Sequence, residues 1–304
     1  GELILGDLRA SALLVSHLAS GAAVLLFYRL ARLTTSRPAA ASLLFTLFPA
    51  TWLLCGSLAF VEPVYLCLAL GAFLSYLRER HGPAAVLAGL AMVAQKSGML
   101  VLAAILVSEV SRQGLKGLRG KSVYLWALLP PAMLHAYLYP LFGDPLIGFR
   151  VHGLFLPGHT FGWPFQAMTQ HLLSPNQIFA QHLWLRKALI GLSAVFYLGV
   201  LATAWRSRHE KERPLVAWLG VTLLFNASLS GIRGYYAFPR YMTLAAPAAI
   251  LLVIRRLPSW AGRWLPLLAL VLVPAGFIIN LADIVDAVEL LLRLWPPLFF
   301  QKLV

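Results

Sequence analysis

The chain has 304 residues, 60% of them hydrophobic and only 12% charged, with a mean hydropathy of +0.78. Those values exclude an ordinary soluble domain and a disordered chain alike. The net charge of +14 is split into short clusters between apolar runs, a pattern of membrane topology and not of a nucleic-acid surface.

The runs are apolar on every face, which fits helices and not the alternating segments of a barrel. The expected fold class is therefore all-α, a polytopic membrane helical bundle forming a single domain of about ten spans. Residues 10–28 form the first run, about 28 Å of helix, after Asp7 as a helix cap. The run ends in Arg29, Arg32 and Arg37, which the positive-inside rule places in the cytoplasm. Residues 39–58 then cross outward to Glu62, and residues 63–77 return to Arg78, Glu79, Arg80 and His81.

Apolar character persists through residues 83–110 with a break at Gln95, Lys96, Ser97 and Gly98. A single helix there would put Arg112, Lys116, Arg119 and Lys121 outside. The expectation is instead two short spans turning at Lys96, with its ammonium recessed below the surface. Residues 122–141 lead out to the longest stretch without a clean span, residues 142–187, which holds Asp144, Arg150, His152, His159, His171 and His182 among aromatics. A loop of that length is expected to have a task and to form short helices in the membrane interface.

Residues 188–204 re-enter before Arg206, Arg208, Lys211 and Arg213, and residues 214–230 go out to the turn GIRGYYAFPRY. Residues 242–254 return to Arg255, Arg256 and Arg263; residues 264–282 cross last, leaving residues 283–304 as an outer amphipathic tail. Most of the 25 Lys and Arg fall in the loops so placed inside, and no repeat of fixed period is evident. Glu62, Lys96, the long loop and the GIRGYYAFPRY turn then share the outer face.

An ionisable group at such a place is expensive unless paired, solvated or used. That face suits a lipid-linked anionic substrate: Lys96, Arg233 and Arg240 for a phosphate, with Tyr241 opening a helix beside Arg240, and aromatics for a sugar or the lipid entrance. The competing readings are that Glu62 marks a loop, that Lys96 snorkels, and that Arg233 and Arg240 are interfacial anchors. His152 and His159 lack the further ligands a metal needs, so no metal and no cofactor is expected. Cys55 and Cys67 lie inside apolar runs and indicate no disulfide framework. Motifs for nucleotide-driven chemistry are not seen, and nucleic acid is not an expected partner. The chain opens at Gly1 without a methionine or a signal-peptide pattern, so a fragment is expected.

The runs LLVSHLASGAAVLLFYRLARL, LLFTLFPATWLLCGSLAFVEPVYLCLALGAFLSYLRER and AAVLAGLAMVAQKSGMLVLAAILVSE resemble the GPI mannosyltransferase II-like (PIG-V-type) membrane glycosyltransferases. LFGDPLIGF and PRYMTLAAPAAILL are similar to two later signatures of that family, so the resemblance covers most of residues 11–254. It implies a GT-C architecture in which a sugar, mannose in this family, passes from a polyprenyl or dolichyl phosphate carrier to an acceptor at the extracytoplasmic face. It also implies an acidic general base in an outer loop expected before Gly1; inside this chain Glu62, an isolated carboxylate on the outer face, is the catalytic candidate. Lys96, Asp144, Arg150, His152, Arg233, Arg240 and Tyr241 are placed with substrate binding, and membrane lipids and the lipid-linked donor are the expected partners. The chain departs from the family where Phe60, Val61, Glu62 and Pro63 replace a Tyr-x-Glu-Ser turn, and where Lys96 stands for an Arg. A lipid-linked substrate transporter or flippase, and a silent membrane scaffold, are the alternatives.

Overall fold

The computed structural model describes residues 8–47, 61–119, 121–144, 147, 160–173, 183–205, 209–230, 238–258 and 264. In chain order the helices are α1 (Leu8–Thr34), α2 (Pro38–Leu47), α3 (Glu62–Leu77), α4 (His81–Ala94), α5 (Met99–Gln113), α6 (Leu129–Phe142), α7 (Gln166–Leu173), α8 (Leu183–Trp205), α9 (Arg213–Ser228), α10 (Phe238–Met242) and α11 (Ala246–Arg256). Short 3-10 segments occupy Lys96–Gly98, Gly114–Leu118, Ser122–Leu128 and Thr243–Ala245. Strands β1 (Thr160–Phe161) and β2 (Leu229–Ser230) pair antiparallel, Thr160 opposite Ser230. The described chain is thus all-α apart from that one short pairing.

Proline sets several helix starts, where its missing N–H costs nothing: Pro63 in α3, Pro130 in α6, Pro214 in α9 and Pro247 in α11. α6 ends at Gly143, whose φ of 67° is the left-handed conformation that glycine adopts without a Cβ clash. α1 continues past the sequence run to Thr34, because Arg29 and Arg32 extend the helix as readily as they would begin a loop.

The residues 95–98 reverse the chain. Gln95 is extended, and Gly98 lies so close to α4 that a Cβ there would meet the Ala91 carbonyl carbon at 2.2 Å. α5 then runs back beside α4, since Glu109 near its end meets Tyr76 at the end of α3. Small residues make this close packing feasible: Ala84, Ala85, Ala88, Gly89 and Ala91 are all buried on α4. A Cβ at Gly89 would lie 2.4 Å from the Ala127 carbonyl oxygen.

One hydrophobic cluster runs from α1 to α11. Phe27 stacks on Phe45 with centroids 4.4 Å apart, and Phe73 stacks on Trp218 at the same spacing, tying α1 to α2 and α3 to α9. Many large apolar side chains nevertheless point outward, Leu18, Leu25, Trp126, Met133, Leu192 and Trp205 among them, and α6 buries none of its residues. Two stretches, Ala10–Thr34 and Lys96–Leu118, are long and apolar enough to cross a membrane by length and composition.

Candidate functional site

The chain reversals between α3, α4 and α5, and the bonds between distant connections, give the bundle two ends of different chemistry. At the first end lie the connections after α1, α3, α5 and α8 and the end of α11, joined by direct bonds. Arg37 donates to the carbonyls of Leu257 and Pro258 at 3.2 and 3.1 Å, and Arg255 donates to the Thr34 carbonyl at 3.1 Å. Glu212, buried, bridges Arg255 at 2.6 Å and Arg256 at 2.7 Å. Arg112 pairs with Glu210 at 2.6 Å, and Arg213 reaches the Ser111 carbonyl at 3.4 Å. This belt is the basic end.

Inside it sits a buried network. The Tyr76 hydroxyl donates to Glu109 Oε1 at 2.8 Å, with Ser108 Oγ 3.1 Å from the same hydroxyl. Lys121 Nζ is 3.6 Å from Glu109 Oε2 and 2.9 Å from His81 Nε2. An ammonium can only donate, so Nε2 is the unprotonated nitrogen, and Nδ1–H donates to the Tyr124 hydroxyl at 2.8 Å. Burial holds the His81 imidazole below its usual pKa, and the Lys121 charge adds to that. Glu109 is only 1% exposed. The sequence reading passed over it within residues 83–110, although a carboxylate in an apolar run is the signal that singled out Glu62.

The opposite end, the far end, collects the residues chosen from sequence that are described. Glu62 is 2% exposed in the first turn of α3, where the positive end of the helix dipole favours a carboxylate. The α4–α5 reversal brings Lys96 to the same end, but its side chain is exposed, so the expected recess is not formed. Gly98 fills the inside of that turn, and the Gln95 side chain, not the lysine, turns inward: its Oε1 is buried with no hydrogen-bond partner among the described residues. Asp144 follows the Gly143 cap, is partly buried, and its backbone carbonyl accepts from Ile147 N–H at 3.2 Å. Tyr241, half-buried, and the backbone of Arg240 lie in α10. Arg150, His152 and Arg233 lie outside the described residues, as do Asp7, Cys55 and the tail of residues 283–304.

Between the ends runs a polar seam that the sequence reading did not pick out. The Tyr65 hydroxyl on α3 lies beside the Trp218 indole N–H of α9, and Thr222 is one turn on from Trp218. Tyr65 Oη, Trp218 Nε1 and Thr222 Oγ1 are buried without partners of hydrogen-bonding geometry among the described residues. Closer to the far end, Asn226 Nδ2 donates to Met242 Sδ at 3.7 Å. Spacings of four residues, Trp218 to Thr222 to Asn226, carry this seam along α9, but in a helix apolar all round they do not mark out a face.

Among the described residues no three His, Cys, Asp or Glu side chains gather as a metal site. The chain matches no family model, no curated protein and no solved structure.

Proposed function

We propose that the protein is a multi-pass membrane glycosyltransferase that moves a sugar, mannose in the first instance, from a polyprenyl or dolichyl phosphate carrier to an acceptor at the extracytoplasmic face. The observation that carries this reading is the difference between the bundle's ends: a basic, internally paired belt at one, and a buried carboxylate, Glu62, with a solvent-facing cation, Lys96, at the other. Basic connections gathered at one end support a cytoplasmic placement for it. Apolar side chains exposed along the flanks, as on α6, support lipid around the bundle, because a soluble surface of that kind would associate. Far-end chemistry then belongs to the opposite leaflet, where the lipid-linked donor is met.

Within this reading Lys96 holds the carrier phosphate as an exposed point charge, and Arg240 with Tyr241 stands at a helix start on the same end. Glu62 serves as a carboxylate that orients the hydroxylic partner of transfer. The test is sugar transfer from polyprenyl phosphate mannose by the product of the full coding sequence, reconstituted in vesicles. Glu62→Gln is expected to lower turnover by about 100-fold or more; parental turnover in a folded Glu62→Gln protein removes the proposal.

A transporter of lipid-linked substrate is the second reading, and the buried polar groups of Tyr65, Trp218 and Thr222 in the middle of the bundle favour it. Labelled donor that crosses the vesicle bilayer without losing its sugar would select the transporter. Labelled acceptor would select the transferase.

A further inference from the structure

Two cavities adjoin at the basic end, and neither belongs to the site proposed above. The first, of about 150 Å³, has a wall of mixed character in which Glu79, Glu210, Arg112, Lys211 and Arg213 carry the charge. The second, of about 230 Å³, is mostly apolar, with Val107, Ala204, Trp205, Val216 and Ala217 on its walls. Arg213 lines both, and so joins a cationic chamber to an oily one.

The charges in the first cavity are unevenly used. Glu210 is committed to Arg112 at 2.6 Å. Lys211 forms no ion pair among the described residues, and the polar contact of Arg213 is one carbonyl at 3.4 Å. Two cations are thus left for an anion, and the exposed Glu79 is left to accept hydrogen bonds from a donor. Val107 and Trp205, 47% and 72% exposed, open the second cavity to the flank of the bundle.

From this pairing we infer that the basic end binds an anionic glycerophospholipid whose head carries hydroxyl groups. Its phosphodiester lies against Arg213 and Lys211, a head-group hydroxyl donates to Glu79, and an acyl chain follows Val107, Ala204 and Val216 past Trp205. A choline head has no hydroxyl to donate to Glu79, and its lipid brings no net negative charge to Arg213 and Lys211; a free phosphate leaves the apolar cavity unfilled. The inference rests on the membrane placement proposed above, which resistance of the protein to carbonate extraction reports separately.

The test is fluorescence quenching of Trp205, taken as the difference between the parent and Trp205→Phe. Protein in phosphatidylcholine vesicles is titrated with phosphatidylglycerol carrying brominated acyl chains. Half-quenching is expected at a low mole fraction, and brominated phosphatidylcholine is expected to need at least about 10-fold more. Lys211→Gln/Arg213→Gln should raise the phosphatidylglycerol requirement by about 10-fold or more. Lys211→Gln alone, at an exposed position with no ion pair among the described residues, should raise it several-fold and keeps the test valid if the double variant misfolds. Equal quenching by the two lipids, or a requirement unmoved by Lys211→Gln, overturns the inference in favour of unselective lipid. Release of the brominated lipid by millimolar inorganic phosphate overturns it in favour of a free-anion site.

Discussion

The basic end and the far end use polar residues in opposite ways. At the basic end every buried carboxylate described is met by cations or a hydroxyl: Glu212 by Arg255 and Arg256, Glu109 by Tyr76 and Lys121. Toward the far end Gln95 Oε1 and, along the seam, Thr222 Oγ1 are buried without such partners among the described residues. A buried group left unsatisfied costs about 1 to 3 kcal/mol, so the basic end is arranged for cohesion while the other carries a local cost.

The largest effect expected of a single change is at the basic end. Glu212→Ala leaves two guanidiniums without their shared carboxylate and should cost about 3 kcal/mol, the low end for a buried pair because both arginines reach solvent. Thermal unfolding in detergent reads it. Glu62→Gln, by contrast, should leave the midpoint nearly unchanged while turnover falls; an equal drop in both variants would abolish the distinction between the ends.

Gly98→Ala is the next largest. Its methyl would collide with the Ala91 backbone at 2.2 Å, and displacing a helix is expected to cost about 2 kcal/mol. Lys96→Met, two residues away but exposed, should cost almost nothing in stability. If the two variants unfold alike, the reversal at residues 95–98 is held differently from what is described.

A pair of conservative changes sharpens the comparison further. Tyr76→Phe removes a donor to the buried Glu109 and should cost about 1 to 2 kcal/mol. Tyr65→Phe removes a hydroxyl with no partner of good geometry, and should be neutral or stabilising by up to about 1 kcal/mol. Denaturation midpoints of the two variants moving the same way would contradict this.

The smallest effect is in pH. Because the His81 pKa lies below its unfolded value of 6.5, the unfolded chain takes up the proton first as pH falls. The contribution of neutral His81 is therefore complete above that value and lost progressively below it, as an imidazolium would face the Lys121 ammonium at 2.9 Å. His81→Gln should flatten the acid limb of a midpoint-against-pH curve; an unchanged limb assigns it to other groups.

Much of this was legible from residue type. Glu62 and the Gln95–Gly98 break stood out because charge and glycine interrupt apolar runs, and the helical reversal falls at that break. Glu109 gives the same kind of signal and was passed over, because the run around it is followed at once by Arg112, Lys116 and Arg119, which read together as one orienting cluster. The exposure of Lys96 was not legible: two short helices can turn with either Gln95 or Lys96 inward, and the contact of Gly98 with Ala91 decides between them.

What the sequence by itself determined is the helical class, the places where apolar runs stop, and the gathering of positive charge in short connections, since all three follow from local composition and chain length. The tertiary structure alone decided which polar groups meet. Tyr76, His81, Glu109 and Tyr124 come from four separate segments, and their hydrogen bonds depend on helices packed closely enough that Gly89 touches the Ala127 carbonyl. A one-dimensional pattern records each residue's polarity but not the partner across the bundle, and in a low-dielectric interior the partner determines whether a charge stabilises the fold or is held for use.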